Sequence, residues 1–312
     1  MSTNNETSLV LRVCAPDMTS RNGFKWPGVG ESVSAPDWKA NSECGEGLHG
    51  WLYGQGEHDC VSYWQQPEAK WLVLEVRSAD IIMLGGKCKF PSAVVRFVGT
   101  KSEAADYIVA NEPRAASVDV IGLVRLVGDK QSTLVGALGT ATAGYRGTAT
   151  AGNYGTATAG NYGTATAGYR GTATAGEGGT ATAGEGGTAT AGNYGTATAG
   201  YRGTATAGEG GTATAGYRGT ATAGEGGTAT AGYRGTATAG EGGTATAGEG
   251  GTATAGEGGT ATAGEGGELR IQQWDAKSDR YRTRIGYVGE DGIKAETKYQ
   301  LDDAGKFVEV QS

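Results

Sequence analysis

Between Gly139 and Gly266 the chain repeats one octad sixteen times in succession: Gly-Thr-Ala-Thr-Ala-Gly followed by two variable residues. Threonine is the residue that could do chemistry here, because its hydroxyl donates and accepts hydrogen bonds while its methyl group does neither. Set on a flat and regular lattice, such hydroxyl and methyl pairs can hold surface water in an ordered, repeating layer. No covalent chemistry competes within the repeat, which lacks His, Cys and Asp and whose glutamates are identical turn copies rather than a tuned pair. An enzyme is therefore not expected.

The element that must position these threonines is a short strand. In Gly-Thr-Ala-Thr-Ala-Gly the side chains alternate, so Thr140 and Thr142 point one way and Ala141 and Ala143 the other. Threonine is β-branched and favours strands, and the glycines on both sides are expected to supply the positive φ of a tight corner. Eight residues cannot close around a core, but two octads can, as two strands facing each other across a layer of alanine. The expected fold is mainly β: a flat two-sided β-solenoid of 16-residue coils, with an N-terminal α+β domain and a small C-terminal β cap. Eight coils at about 4.8 Å each make a rod roughly 38 Å long.

One broad face then carries a two-column array: Thr140 and Thr142, Thr156 and Thr158, Thr172 and Thr174, Thr188 and Thr190, and, continuing, Thr204 and Thr206, Thr220 and Thr222, Thr236 and Thr238, Thr252 and Thr254. The intervening octads put a second array on the opposite face. The variable pairs fall on two ridges. One collects Tyr169 and Arg170, Tyr201 and Arg202, Tyr217 and Arg218, Tyr233 and Arg234, and the other an acidic row of Glu177, Glu209, Glu225, Glu241 and Glu257. A Tyr/Arg ridge meeting a Glu ridge on a second copy would join rods side by side by charge complementarity. Otherwise these residues simply keep the rod soluble.

Residues 1–128 have ordinary globular composition, with strands expected at "WLVLEV" and "AVVRFVG" and a helix within "TKSEAADYIVANE". Residues 129–266 form the solenoid, beginning with a worn octad, "QSTLVGAL". Residues 267–312 read as a cap with hairpin strands "ELRIQQWD" and "YRTRIGYVG". The net charge of −7 argues against nucleic acid, and against acidic ligands as a general target. No Sec signal and no run of 18 apolar residues is readable. The four cysteines, Cys14, Cys44, Cys60 and Cys88, are expected as thiols. Cys44, His49, His58 and Cys60 can be drawn as a metal set, but their spacing matches no standard zinc site, so no metal and no cofactor is expected.

The reading frame "AGYRGTATAGEGGTAT" resembles the repeat of bacterial ice nucleation proteins. The flanks are similar too: "LVLRVCAPDM", "GFKWP", "GLHGWLYGQG", "KWLVLEVRSADII" and "KFPSAVVRFVG" to the family's N-terminal domain, and "WDAKSDRYRTRIGYVGEDGIKAE" to its C-terminal segment. The resemblance implies Thr-X-Thr rows that order water into an ice-like layer, assembly of several rods into a larger template, and a place at the bacterial outer membrane or surface. It also singles out the row after the tyrosine turn, which here begins at Thr172. Three features depart from the family. The second strand is also Thr-Ala-Thr, the Tyr-Gly-Ser turn has become Tyr-Arg, Asn-Tyr or Glu-Gly, which interrupts the tyrosine row, and the coils are few. The arginines run from Arg146 to Arg234 and are absent from the last four octads. A solenoid that is only a spacer or an interaction rod, without ice activity, is the alternative.

Overall fold

The computed structural model describes residues 6–58 and 62–311. Its contacts divide into two compact units: residues up to Val124 together with Val135–Thr140, and Arg125–Leu134 together with Ala141 onward. In the first unit β1 (Thr7–Cys14), β2 (Ser32–Ser34), β3 (Leu48–Leu52), β4 (Lys70–Arg77), β5 (Ile82–Met83), β6 (Cys88–Phe90) and β7 (Ser92–Gly99) make one sheet, in the order β2-β7-β4-β1-β3-β6-β5. The two central strands pair antiparallel, Val10 opposite Leu74 and Arg12 opposite Leu72. From Ser8 to Cys14 every residue of β1 is buried, as expected of a strand covered on both faces. One face packs Val10, Cys14, Leu72 and Leu74 against Trp26, Leu48 and Phe90. The helix α1 (Lys101–Asn111) lies against β1, β4 and β7 and buries Ala104, Ala105 and Ile108. It starts where the sequence sets it, since the Glu103 carboxylate accepts the Thr100 backbone N–H at 2.9 Å and closes a capping box.

The second unit is the solenoid. Its first coil, β8 (Val124–Val127) and β9 (Ser132–Val135), is followed by sixteen four-residue strands, β10 to β25, running from Thr140–Ala143 to Thr260–Ala263. Even-numbered strands form one sheet and odd-numbered strands the other, so the stack has nine coils, one more than the octads alone suggest. β8, "VRLV", had no octad signature to reveal it. Neighbouring coils are parallel and in exact register, Thr204 against Thr220 and Ala205 against Ala221. Every repeat alanine is buried, with Ala205 at 0% and Ala207 at 3% exposure, and these methyl groups are the whole interior of the repeat.

The glycines serve a different purpose from the one the sequence suggests. A Cβ at Gly203 would lie 2.7 Å from the Ala199 Cβ and 3.0 Å from the Gly187 carbonyl oxygen of the adjoining coil. At Gly200 it would meet the Glu185 backbone nitrogen at 2.9 Å. These residues are glycine so that coils can approach, and neither has positive φ. The left-handed residue is the second of each variable pair: φ is 53° at Arg202, 58° at Tyr194 and 61° at Gly210. With the Gly203 N–H donating to the Gly200 carbonyl at 3.0 Å, each corner is a four-residue turn whose third residue is left-handed, as in type II.

Both sheets end in antiparallel pairs. β26 (Glu268–Asp275) continues the even sheet and places Leu269 and Ile271 beside Ala253 and Ala255, covering the last alanine layer with larger side chains. β27 (Arg280–Tyr287) folds back on it. On the odd sheet β28 (Tyr299–Leu301) pairs antiparallel with β25, and β29 (Phe307–Glu309) pairs with β28. The last octad strands, β24 and β25, are thereby paired on both sides, and the sheet edges pass to β27 and β29, outside the repeat.

Three substitutions separate these roles. Gly203→Ala is expected to lower stability by about 1–3 kcal/mol through overpacking. Gly226→Ala, left-handed at 62° with nothing within 4 Å of its Cβ, is expected to cost only about 1 kcal/mol. Arg202→Gly is expected to gain about 1 kcal/mol by relieving a left-handed side-chain residue. Circular dichroism melts measure all three, and equal losses for the two alanine variants would contradict the assignment.

Candidate functional site

In-register stacking turns the octad into a lattice. On the even sheet the pairs from Thr140/Thr142 to Thr252/Thr254 all fall on one outer face, as two columns of eight. Residues two apart along a strand are separated by about 6.8 Å and equivalent residues in adjoining coils by about 4.8 Å. The first threonine of the strand is exposed in six of these eight strands, β12 through β22. On the odd sheet it is exposed in four, β13, β15, β17 and β21. On the odd face one hydroxyl is paired between adjoining coils, Thr260 donating to Thr244 at 3.2 Å. Among the described residues, the hydroxyls of the even face make no hydrogen bond to another protein group, which leaves them to solvent. The first threonine is thus exposed on more strands of the even face than of the odd.

The ridges are built by the corners. From Arg146 to Gly250 the left-handed N–H donates to the carbonyl of the next coil's corner, Arg202 to Tyr217 and Arg218 to Tyr233, both at 2.8 Å. Where the first corner residue is Asn its side chain adds a second rung, Asn153 Oδ1 accepting from the Tyr169 N–H at 3.0 Å and Asn193 Oδ1 from Glu209 at 3.2 Å. Tyr201, Tyr217 and Tyr233 stack at centroid distances of 5.2 and 5.0 Å, with ring planes within 14° of parallel. Their arginines lie over the rings, Arg202 at 5.3 Å, Arg218 at 5.5 Å and Arg234 at 5.3 Å. Tyr169 sits apart beyond Glu185, edge-on to Tyr154 at 5.5 Å, with Arg170 over its ring. The tyrosine row is interrupted, as expected, but three consecutive rings of it survive. The edge-on pair of Tyr154 and Tyr169 was not legible in the residues, because Asn-Tyr and Tyr-Arg put the ring on different corner positions.

In the N-terminal unit Cys14 and Cys88 are buried free thiols and Cys44 an exposed one. Burial pushes the Cys14 thiol up to about 11 and the Cys88 thiol to about 12, so both are inert thiols at neutral pH. His49 Nε2 accepts the Gly45 N–H at 3.4 Å, whereas His58 is buried against Trp64 at 5.1 Å. Cys60 lies outside the described residues. Among the described residues no three His, Cys, Asp or Glu side chains are grouped to hold a metal.

Residues 8–110 match a family model described as a domain of unknown function, DUF7666. The N-terminal region is similar to ice nucleation proteins. That of Xanthomonas campestris pv. translucens is 46% identical over 110 residues, which is 35% of this chain and 7% of the relative. That of Pseudomonas fluorescens is 42% identical over 108 residues, 34% of this chain and 9% of the relative. That of Pseudomonas syringae pv. syringae is 38% identical over 116 residues, 36% and 9%. The matched segment thus spans less than a tenth of the length of these relatives. No solved structure matches.

His49 gives this matched domain a measurable signature. Burial, and then the nearby cations Lys87, Arg12 and Lys89, pull its pKa from 6.5 down to about 4. The unfolded chain takes up the proton first, so the stabilising contribution is complete above about pH 6.5 and is lost as pH falls toward 4. Denaturant melts followed by tryptophan fluorescence are expected to show stability falling across that window, and His49→Gln to flatten the fall. A wild-type profile level from pH 6.5 to 4 would be the contrary result.

Proposed function

We propose that the solenoid is a non-enzymatic ice-binding template and that its working surface is the even-sheet threonine face. The observation that carries this reading is the in-register array itself. Sixteen threonines on one face are locked to a backbone ladder, and among the described residues their hydroxyls make no hydrogen bond to another protein group. An array fixed by backbone hydrogen bonds does not have to be ordered when water settles on it, so the entropy cost of organising the surface has already been met in folding. The names of the relatives support the same ligand, and the greater exposure of the even face supports the choice between faces. The family resemblance also supports a place at the bacterial outer membrane or surface, although no helix among the described residues is long and apolar enough to cross a membrane.

One rod offers a patch of roughly 38 by 7 Å. That area suits binding to ice that already exists better than starting a crystal, so we assign efficient nucleation to side-by-side assemblies of this chain. Arg202, Arg218 and Arg234 recur with the same 16-residue spacing as Glu209, Glu225 and Glu241 on the opposite ridge. Two parallel rods can therefore align three Arg–Glu pairs at once, and because the two ridges differ the contact is heterologous and can propagate into a sheet of rods.

Two experiments test this. Replacing Thr204, Thr206, Thr220 and Thr222 with leucine is expected to remove ice-crystal shaping and to return droplet freezing to the buffer value. The same change at Thr212, Thr214, Thr228 and Thr230 on the odd face is expected to have the smaller effect. Wild-type protein that freezes and shapes ice no differently from buffer would leave the repeat as a spacer. For assembly, the triple reversal Glu209→Lys, Glu225→Lys and Glu241→Lys is expected to reduce the mass in solution to one chain. Mixing it with Arg202→Glu, Arg218→Glu, Arg234→Glu should restore association, whereas wild type that is a single chain at every concentration would overturn the ridge pairing.

A further inference from the structure

We propose that the N-terminal domain is a receptor for a small oxyanion, a molecule bearing a phosphate or carboxylate group, which Arg12 anchors at the floor of a cavity. The cavity, of about 520 Å³, lies wholly within the first unit. That volume is within the range of small-molecule sites. Nothing in the ice reading uses it.

Arg12 is the unusual residue of "SLVLRVC", a charge in the middle of a strand that is otherwise apolar and covered on both faces. It is 8% exposed. Its Nη1 donates to the His49 carbonyl at 3.1 Å, and the guanidinium lies 5.6 Å from the centroid of Trp26. Among the described residues its buried Nε has no hydrogen-bond partner and no carboxylate forms an ion pair with it. Burial pulls the guanidinium down only to about 10, so it stays charged at neutral pH. A buried cation without an anion is costly unless something completes it.

The rest of the cavity points to an anion as that completion. Arg21 and Lys87 also line it, and His49 beside Arg12 is held neutral. Two carboxylates are present among the described lining residues, but Glu46 is occupied by Lys39, which leaves Asp37 as the opposing charge among them. The balance is positive in a chain whose net charge is −7. The overall charge argues against acidic ligands in general but does not describe this concave site, where low-dielectric walls concentrate the local field. Phe24, edge-on to Trp26 at 5.3 Å, gives the wall an apolar side for the body of the ligand.

The test uses the full chain and two probes, sodium phosphate and sodium citrate, against sodium chloride at matched ionic strength, with the melting of the N-terminal tryptophans as readout. At least one oxyanion is expected to raise the melting midpoint saturably; phosphate alone would identify a phosphate group, citrate alone a carboxylate. Arg12→Met, which keeps the length of the stem, is expected to weaken that binding at least about 30-fold. Its midpoint without ligand should not fall, because an unpaired buried charge has gone. Should Arg12→Met fail to fold, Lys87→Met decides, with weakened saturation supporting the site and unchanged saturation overturning it. No saturable shift with either probe, or one that Arg12→Met retains, overturns the proposal.

Discussion

The closeness of one coil to the next constrains everything else in the solenoid. Parallel backbone ladders bring residues sixteen apart side by side, and at the strand ends the approach is so near that a single added carbon would meet the neighbouring backbone at 2.5–3.0 Å. Two positions in every octad must therefore lack a side chain. The same closeness asks that each strand position hold the same kind of residue in every coil, since a larger inward side chain would push its neighbours apart. Alanine inside and threonine outside follow from this condition together with the two-residue alternation of a strand. The threonine lattice is thus a by-product of how the rod holds together as well as its candidate function.

The corners escape that constraint, and they vary. Each corner needs one left-handed residue, which glycine adopts without strain, and in eight of the sixteen octads glycine is there. The other eight place Tyr or Arg at the same position. A side chain costs about 1–2 kcal/mol in that conformation. Strain of this sort is informative where a strain-free alternative is in use a few residues away. Ring stacking and arginine–ring contacts offset part of the cost. They also leave a stiff, cationic, aromatic row along one ridge, facing outward, which is the kind of surface a second rod could use.

Much of this was legible in the residues. The octad period, the inward and outward assignment, the capped helix and the terminal hairpins are all local: each depends on alternation, on a Thr-x-x-Glu start or on a turn signal within a few positions. What escaped depended on contacts distant in sequence. Glycine as a turn-former and glycine as a spacer look alike in a string of letters, and only the adjoining coil distinguishes Gly203 from Gly210. β8 has an ordinary apolar sequence, so its membership of the stack is set by its neighbour and not by its own residues. Arg12 reads as one charge among hydrophobic residues until the strands on either side of it and Trp26 enclose it.

In the proposed function a rigid threonine face meets ice as one lattice meets another. Its most direct measurement is the incorporation of fluorescently labelled full-length chain into a single ice hemisphere grown slowly in dilute protein. A fixed two-dimensional array of hydroxyls and methyl groups matches some crystal planes and not others. Fluorescence is therefore expected in discrete patches related by the symmetry of the crystal. Label excluded from the ice, or spread through it without regard to plane, would contradict it.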